Sequence, residues 1–296
     1  MACTTEQNVL GEGARWDARR GELLRLDILA GRVYRDRVDD DGALILVRRY
    51  QVPGTVGAVA PVEDDEGWVV AAGKGFAYLS LDGSVRPLGE VAAAETRMND
   101  GACDPQGRFW SGTKADRPGG AALYRLDRAG ETELMLDGLT ISNGKGWSPD
   151  GATMYLVDTG PRVVHAFAFD GDTGTITDGR VLITVPEDVG SPDGMTVDAD
   201  GDLWVAIWGG GRVQRYSPKG ELRQTLTVPA AQCTSCAFAG SGLNRLYVTT
   251  ATEFWTDEQR RAEPAAGLVY RFETDATGRP AAPFRPESAW WTTATS

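Results

Sequence analysis

Four side chains carry oxygen at matched positions along this sequence. Asn99, Asn143 and Asp193 each stand eight residues before a glycine that closes an acid-rich turn, at Gly107, Gly151 and Gly201. Glu12 stands nine residues before Gly21, where the turn is one residue longer. Thr234 takes the matching place in a sixth stretch, and Val59 or Ala60 in a second. Carboxylates gathered without partners in a narrow space must be neutralised or take up a proton. A divalent cation removes that cost. Glutamate, aspartate and asparagine without His or Cys suit a hard ion such as Ca²⁺, Mg²⁺ or Mn²⁺, and also Zn²⁺ in an open, water-filled site. Taken singly, Asn-Gly and Asp-Gly are ordinary turn pairs. Four in one register, one of them a glutamate, point to a metal site, and a cation with no other nucleophile beside it points to activated water and hydrolysis.

The remaining reactive residues narrow the chemistry further. His165 is the sole histidine, set in a strand-like Val163–Phe167 run, which excludes Ser-His-Asp, Cys-His and multi-histidine metal sites. Cys233 and Cys236 form a lone C-x-x-C with no second pair, so they read as small buried residues at a strand start rather than as zinc ligands. Arg97, two residues before Asn99, is either a surface arginine or a group that orients an oxygen-rich substrate at the same mouth. Asp100 reads as a turn-holding residue. Trp208, before Gly209-Gly210-Gly211, either walls a ligand pocket or packs between repeats.

Something must bring these scattered positions to one point. The signature turn recurs before Leu23-Leu24, Trp68-Val69, Phe109-Trp110, Met154-Tyr155, Leu203-Trp204 and Leu246-Tyr247. Its glycines lie 46, 40, 44, 50 and 41 residues apart. Each turn leads into short segments rich in aromatic and β-branched residues, with no helical periodicity. A period of 40–50 residues with about four strands per unit is that of a β-propeller blade. Six units predict an all-β, six-bladed propeller with four antiparallel strands per blade, as a single domain over residues 1–296. The innermost strands then line a central channel, and their first residues converge on a metal site there. Glu253–Ala265 reads as an insertion in the last repeat, and Gln7–Leu10 as the segment that completes the last blade and closes the ring.

Composition sets the outer limits. With 42% hydrophobic and 24% charged residues, the chain reads as globular, and no apolar run approaches the ~20 residues of a membrane span. The formal charge of −12 repels phosphate backbones and argues against nucleic acid. The first residues show neither a basic nor an apolar signal region, and four cysteines are too few for a disulfide scaffold, so a reducing cytoplasm is expected. A monomer or weak homo-oligomer is expected, with no membrane partner.

Several of these motifs together resemble the SMP-30/gluconolactonase/regucalcin family of six-bladed propellers. They are Leu10–Asp17 (LGEGARWD), Arg97–Asp104 (RMNDGACD), Ser142–Gly151 (SNGKGWSPDG), Ser191–Asp198 (SPDGMTVD), and Thr234–Phe238 with Leu246–Thr250. The resemblance implies one divalent metal, Ca²⁺ or Zn²⁺ ahead of Mg²⁺ or Mn²⁺, held by Glu12, Asn143 and Asp193, with Asp193 also the general base. It implies that Arg97 and Asn99 contact substrate hydroxyls and that Asn99 helps arrange the water on the metal. The typical reaction of such proteins is hydrolysis of a sugar lactone to its aldonic acid. Where the family often has Gly-Thr-Met, this chain has Gly112-Thr113-Lys114, and its Ala115–Gly120 loop is short. Lys114 is either a solvated loop lysine or a contact for an acidic substrate.

These readings lead to a metal-dependent, gluconolactonase-like lactone hydrolase acting on a small-molecule lactone. Two rivals stand beside it. One is a calcium-binding or regulatory propeller with little turnover. The other is a repurposed pocket acting on a non-sugar lactone, an ester or a biosynthetic intermediate.

Overall fold

The computed structural model describes residues 1–295. Six antiparallel sheets follow one another along the chain. Blade 1 holds β1 (Gly11–Asp17), β2 (Glu22–Asp27), β3 (Arg32–Val38) and β4 (Leu44–Gln51). Blade 2 holds β5 (Val56–Pro61), β6 (Trp68–Ala72), β7 (Gly75–Leu79) and β8 (Val85–Glu90). Blade 3 holds β9 (Thr96–Cys103), β10 (Phe109–Ala115), β11 (Ala121–Leu126) and β12 (Thr132–Leu139). Blade 4 holds β13 (Ser142–Trp147), β14 (Thr153–Asp158), β15 (Val163–Phe169) and β16 (Ile176–Thr184). Blade 5 holds β17 (Ser191–Val197), β18 (Leu203–Trp208), β19 (Arg212–Tyr216) and β20 (Leu222–Thr227). Blade 6 holds β21 (Cys233–Ala239), β22 (Arg245–Thr250) and β23 (Val269–Glu273). The inner strands β1, β5, β9, β13, β17 and β21 each neighbour the next, and β21 neighbours β1, so the ring is closed.

The repeated turn has a specific job. In blade 3, Asp104 Oδ1 accepts from the Gln106 and Arg108 amides (both 3.0 Å) and Oδ2 from Trp110 Nε1 (3.0 Å). In blade 5, Asp198 does the same for Asp200 (3.0 Å), Asp202 (2.8 Å) and Trp204 Nε1 (2.9 Å). In these two blades one carboxylate thereby ties the turn to the large aromatic that follows it, which explains the spacing of acid and tryptophan there. The tied aromatics fill the space between blades: Trp110 meets Trp147 and Phe169, and Trp204 meets Phe238 at 5.6 Å.

The sequence points to Gln7–Leu10 as the closing segment; the structure uses Met1–Thr4 instead. Ala2 bridges Tyr270, Cys3 N donates to Val269 O (2.7 Å), and Arg271 N donates to Met1 O (2.8 Å). This adds a fourth strand to β23 on its outer edge. Residues 7–10 are the crossing from that edge to the axis, held by Asn8 N on Gly267 O (2.8 Å) and by a Leu10–Ala251 bridge. The expected insertion is present between β22 and β23, and it carries α1 (Asp257–Ala262), capped by Thr256.

After β23 the chain crosses the face of the propeller where the inner strands end. It bridges Asp198 at Gly278, places Arg279 on Trp147 O and Pro149 O, and pairs Phe284 with Val62. It finishes in α2 (Ser288–Thr295), where Trp291 packs edge-on against Tyr78 at 5.1 Å. No described helix is long and apolar enough to cross a membrane.

Candidate active site

Every inner strand breaks register with its neighbour near its start. The irregularity falls after Glu12 in β1, at Gly57 in β5, at Asn99-Asp100 in β9, at Asn143-Gly144 in β13, at Asp193-Gly194 in β17 and at Thr234 in β21. Such bulges turn a side chain out of the regular alternation. The Asn-Gly and Asp-Gly pairs are therefore strand bulges at the axis and not hairpin turns. Their glycines serve close approach. A Cβ on Gly144 would lie 2.5 Å from Met195 N and 2.7 Å from Asp193 O, and one on Gly194 would lie 2.6 Å from Ser235 Oγ. Blade 2 contributes Gly57 to this layer. Val59 and Ala60, the positions counted from sequence, pair regularly with Val70 and Val69 beyond the bulge.

Glu12, Asn99, Asn143 and Asp193 are each no more than 5% exposed. Asn143 Nδ2 donates to Thr159 Oγ1 (3.0 Å), which in turn donates to Pro192 O (2.8 Å). That chain fixes the amide and leaves Asn143 Oδ1 buried without a partner. Asp193 Oδ1 is buried without a partner as well. Glu12 Oε2 accepts only from the Gly13 amide, at 3.1 Å. Burial, with the nearby Asp193 and Asp100 charges, pushes the Glu12 carboxyl well above the usual range. Burial and Asp100 push Asp193 up likewise, while the Lys114 charge and the Asn143 amide act the other way. Thr234 is spoken for: its hydroxyl donates to Gly11 O and shares a hydrogen with Thr249 Oγ1 (2.8 Å).

Among the described residues no three His, Cys, Asp or Glu side chains are gathered as a metal set. The candidate donors are two carboxylates and an amide. Two orphaned oxygens, a third that accepts one amide hydrogen, and mutual repulsion between the acids are what a hard cation relieves, so these residues fit such an ion.

Arg97 lies at the same end of the channel. Its Nη1 donates to Asn99 Oδ1 (2.7 Å) and Met98 O (3.0 Å), leaving Nη2 and Nε unengaged. Burial lowers its pKa, while Glu253, Glu12, Asp193 and Asp116 raise it. Asn99 Nδ2 donates to Ser142 O at 3.0 Å, so the amide keeps one lone pair and one N–H for a ligand.

Three charged groups at the axis were not visible as site residues in the sequence. Asp100 lies within β9, buried beside Glu12 and Asp193, its Oδ1 accepting from Gly101 N at 2.6 Å, and so it is not a turn residue. Lys145 is buried two residues beyond Asn143 and donates to Asp100 O (2.7 Å) and Asn143 O (2.9 Å); burial pushes its pKa down to about 8. Glu253 begins the blade 6 insertion and lies 4.0 Å from Lys114, which places Lys114 at the site's rim. The charged residue directly after Asn143-Gly144 was the signal for Lys145; nothing local marks Glu253.

The other candidates are structural. His165 lies in β15, its ring 5.9 Å from Phe167, and burial lowers its pKa. Cys233 and Cys236 are free, buried thiols at the start of β21. Trp208 packs against Leu10, Ile28 and Ala251.

The SMP-30/Gluconolactonase/LRE-like model matches residues 10–252, which spans every inner strand and every residue of this site except Glu253. The chain belongs to this family. It is 34% identical to the pentonolactonase XacC of Haloferax volcanii, covering 92% of this chain and 93% of that one. It is 34% identical to a 6-deoxy-6-sulfogluconolactonase of Pseudomonas putida, over 94% and 96%. Among solved structures, a calcium-binding regucalcin from Agrobacterium tumefaciens superposes with a TM-score of 0.89 at 28% identity, over 96% of both chains.

Proposed function

We propose that this family member is a divalent-metal-dependent sugar lactonase that opens an aldonolactone to its aldonic acid. The observation that carries the reading is the pair of buried, unpartnered oxygens, Asn143 Oδ1 and Asp193 Oδ1, in the layer that also holds Glu12. Relatives that act on a pentonolactone and on a sulfogluconolactone support the substrate class. Glu12, Asn143 and Asp193 would hold the ion, Ca²⁺ or Zn²⁺, which when bound supplies a Lewis acid for the lactone carbonyl.

The chain's own groups divide the remaining work. Asp193 accepts the proton of the attacking water as its oxygen bonds to the carbonyl carbon. The ring C–O bond then breaks, and the departing ring oxygen takes up a proton to become the sugar hydroxyl. Arg97 offers its free Nη2 and Nε to substrate oxygens, and Asn99 offers one lone pair and one N–H. Their mutual bond presents both as one rigid unit, which favours orientation over mere attraction.

The test is base-titrated hydrolysis of five- and six-membered sugar lactones by chelator-stripped protein, with and without Ca²⁺, Mg²⁺, Mn²⁺ and Zn²⁺. Turnover restored by metal is the expected outcome. Metal binding without turnover on any lactone overturns the lactonase reading and favours a calcium-binding propeller, a reading that the calcium-binding regucalcin structure supports. Lys114 keeps a non-sugar or acidic substrate in view, and such compounds belong in the same panel.

A further inference from the structure

The channel has a second end, and its chemistry is the reverse of the first. Where the inner strands finish, a cavity of about 360 Å³ is walled by the last residues of β1, β9, β13, β17 and β21 and covered by the crossing segment Arg279–Arg285. That segment lies beyond the family match, which ends at residue 252. The wall contains Arg15, Lys145, Arg279 and Arg285 and no aspartate or glutamate.

In a chain where 42 acids outnumber 30 bases, a wall that gathers bases and no acid is informative. Arg15 donates to Gly101 O (2.9 Å), and Arg279 to Trp147 O (3.2 Å) and Pro149 O (3.4 Å). Among the described residues neither has a carboxylate within ion-pair distance. Only Arg285 is paired, with Glu63 at 2.9 Å. Arg15 on β1 and Arg285 on the covering segment both line the cavity. Trp147 adds a donor: the residue is 6% exposed, it lines the cavity, and its buried indole N–H has no acceptor among the described residues. Buried donors without acceptors are rare and ask for a partner.

We propose that this far end of the channel is a second binding site, for a small carboxylate with a hydrocarbon body. The carboxylate meets Arg15, Arg279 and the Trp147 N–H, and Met195, Phe238 and Ala237 in the wall take the apolar part. The apolar side of the wall, Met195, Ala237 and Phe238, suits a hydrocarbon body better than a polyhydroxylated aldonate, which sets this ligand apart from the product of the mouth. Lys145 is the one side chain common to both ends, its ammonium held by Asp100 O and Asn143 O. None of the groups assigned to the carboxylate belongs to the metal end, so the site stands whether or not the chain is a lactonase.

Benzoate, benzamide and benzylammonium are the probes, titrated calorimetrically into the full-length, metal-loaded protein. Benzoate binds at least about tenfold more tightly than benzamide, and benzylammonium does not bind. Arg279→Gln lowers benzoate affinity by about tenfold without changing lactone turnover, whereas Arg97→Gln at the mouth leaves benzoate binding unchanged. Should Arg279→Gln fail to fold, the wild-type chain still decides: with ¹⁵N-labelled tryptophan, benzoate shifts the indole signal that Trp147→Phe removes. Equal affinity for benzoate and benzamide, loss of benzoate binding in Arg97→Gln, or an unmoved Trp147 signal overturns the proposal.

Discussion

At the scale of single residues, Asp193 carries two opposed demands. It is buried among acids, which favours its protonated form in the bare chain, yet in the ligand and base roles proposed for it above it must be ionised. Asp193→Asn keeps the shape and removes the charge. Lactone turnover should fall by about 10²–10⁴-fold, the usual share of a positioned base. The chelated variant should melt at a higher temperature than the chelated wild type, because one of three mutually repelling carboxylates is gone. Turnover assays and thermal unfolding in chelator check the two halves separately. Glu12, Asn143 and Asp193 were legible in the sequence because a repeat places equivalent residues in one register. Asp100 and Lys145 were not, because Asp100 sits inside a bulge whose second residue no turn rule anticipates, and Lys145 becomes a channel residue only when β13 runs along the axis. Glu253 reaches Lys114 from another blade, a contact that no local spacing encodes.

At the scale of elements, the site depends on how closely inner strands approach. Gly144 faces the backbone of the next blade at the residue that bears the Asp193 carboxylate. Main chain cannot swing aside as a flexible side chain can, so Gly144→Ala must push β13 and β17 apart. The expected cost is about 1–3 kcal/mol in urea unfolding, with weaker divalent-ion binding by calorimetry. The turn carboxylates are the other element-scale device. Asp198→Ala strips acceptors from two amides and Trp204 Nε1, and it removes a partner of Arg215 (3.2 Å). A loss of about 3–5 kcal/mol is expected, read as a lower urea midpoint. These same carboxylates are why the blades could be counted from sequence. In blades 3 and 5 acid, glycine and aromatic stay at fixed spacing because one aspartate takes the glycine amide on its main-chain carbonyl and the tryptophan N–H on its carboxylate. Elements held by backbone pairing alone left no such mark, which is why Met1–Thr4 was not recognisable as the closing strand, and why the blade 2 position fell at Gly57 and not at Val59 or Ala60.

At the scale of the whole molecule, the ring has one closure at its outer edge and, on the metal reading proposed above, a second at its axis. Outside, Met1–Thr4 covers the free edge of β23. Inside, Glu12 belongs to blade 1, Asn143 to blade 4 and Asp193 to blade 5, so an ion held by all three ties the first blade to the far side of the ring. An ion that binds only the folded chain stabilises it by about 2.7 kcal/mol at a hundred times its dissociation constant. A variant lacking residues 2–4 should therefore unfold at a lower temperature than the full chain in chelator, since it exposes a strand edge and loses the pairing to Val269 and Arg271. Adding Ca²⁺ or Zn²⁺ should raise both melting temperatures by a similar increment, because the inner closure does not use the missing residues. Glu12→Gln should abolish that increment in both backgrounds. An increment that survives Glu12→Gln would place the ion elsewhere, whereas one that disappears on truncation alone would show that the two closures are a single cooperative device.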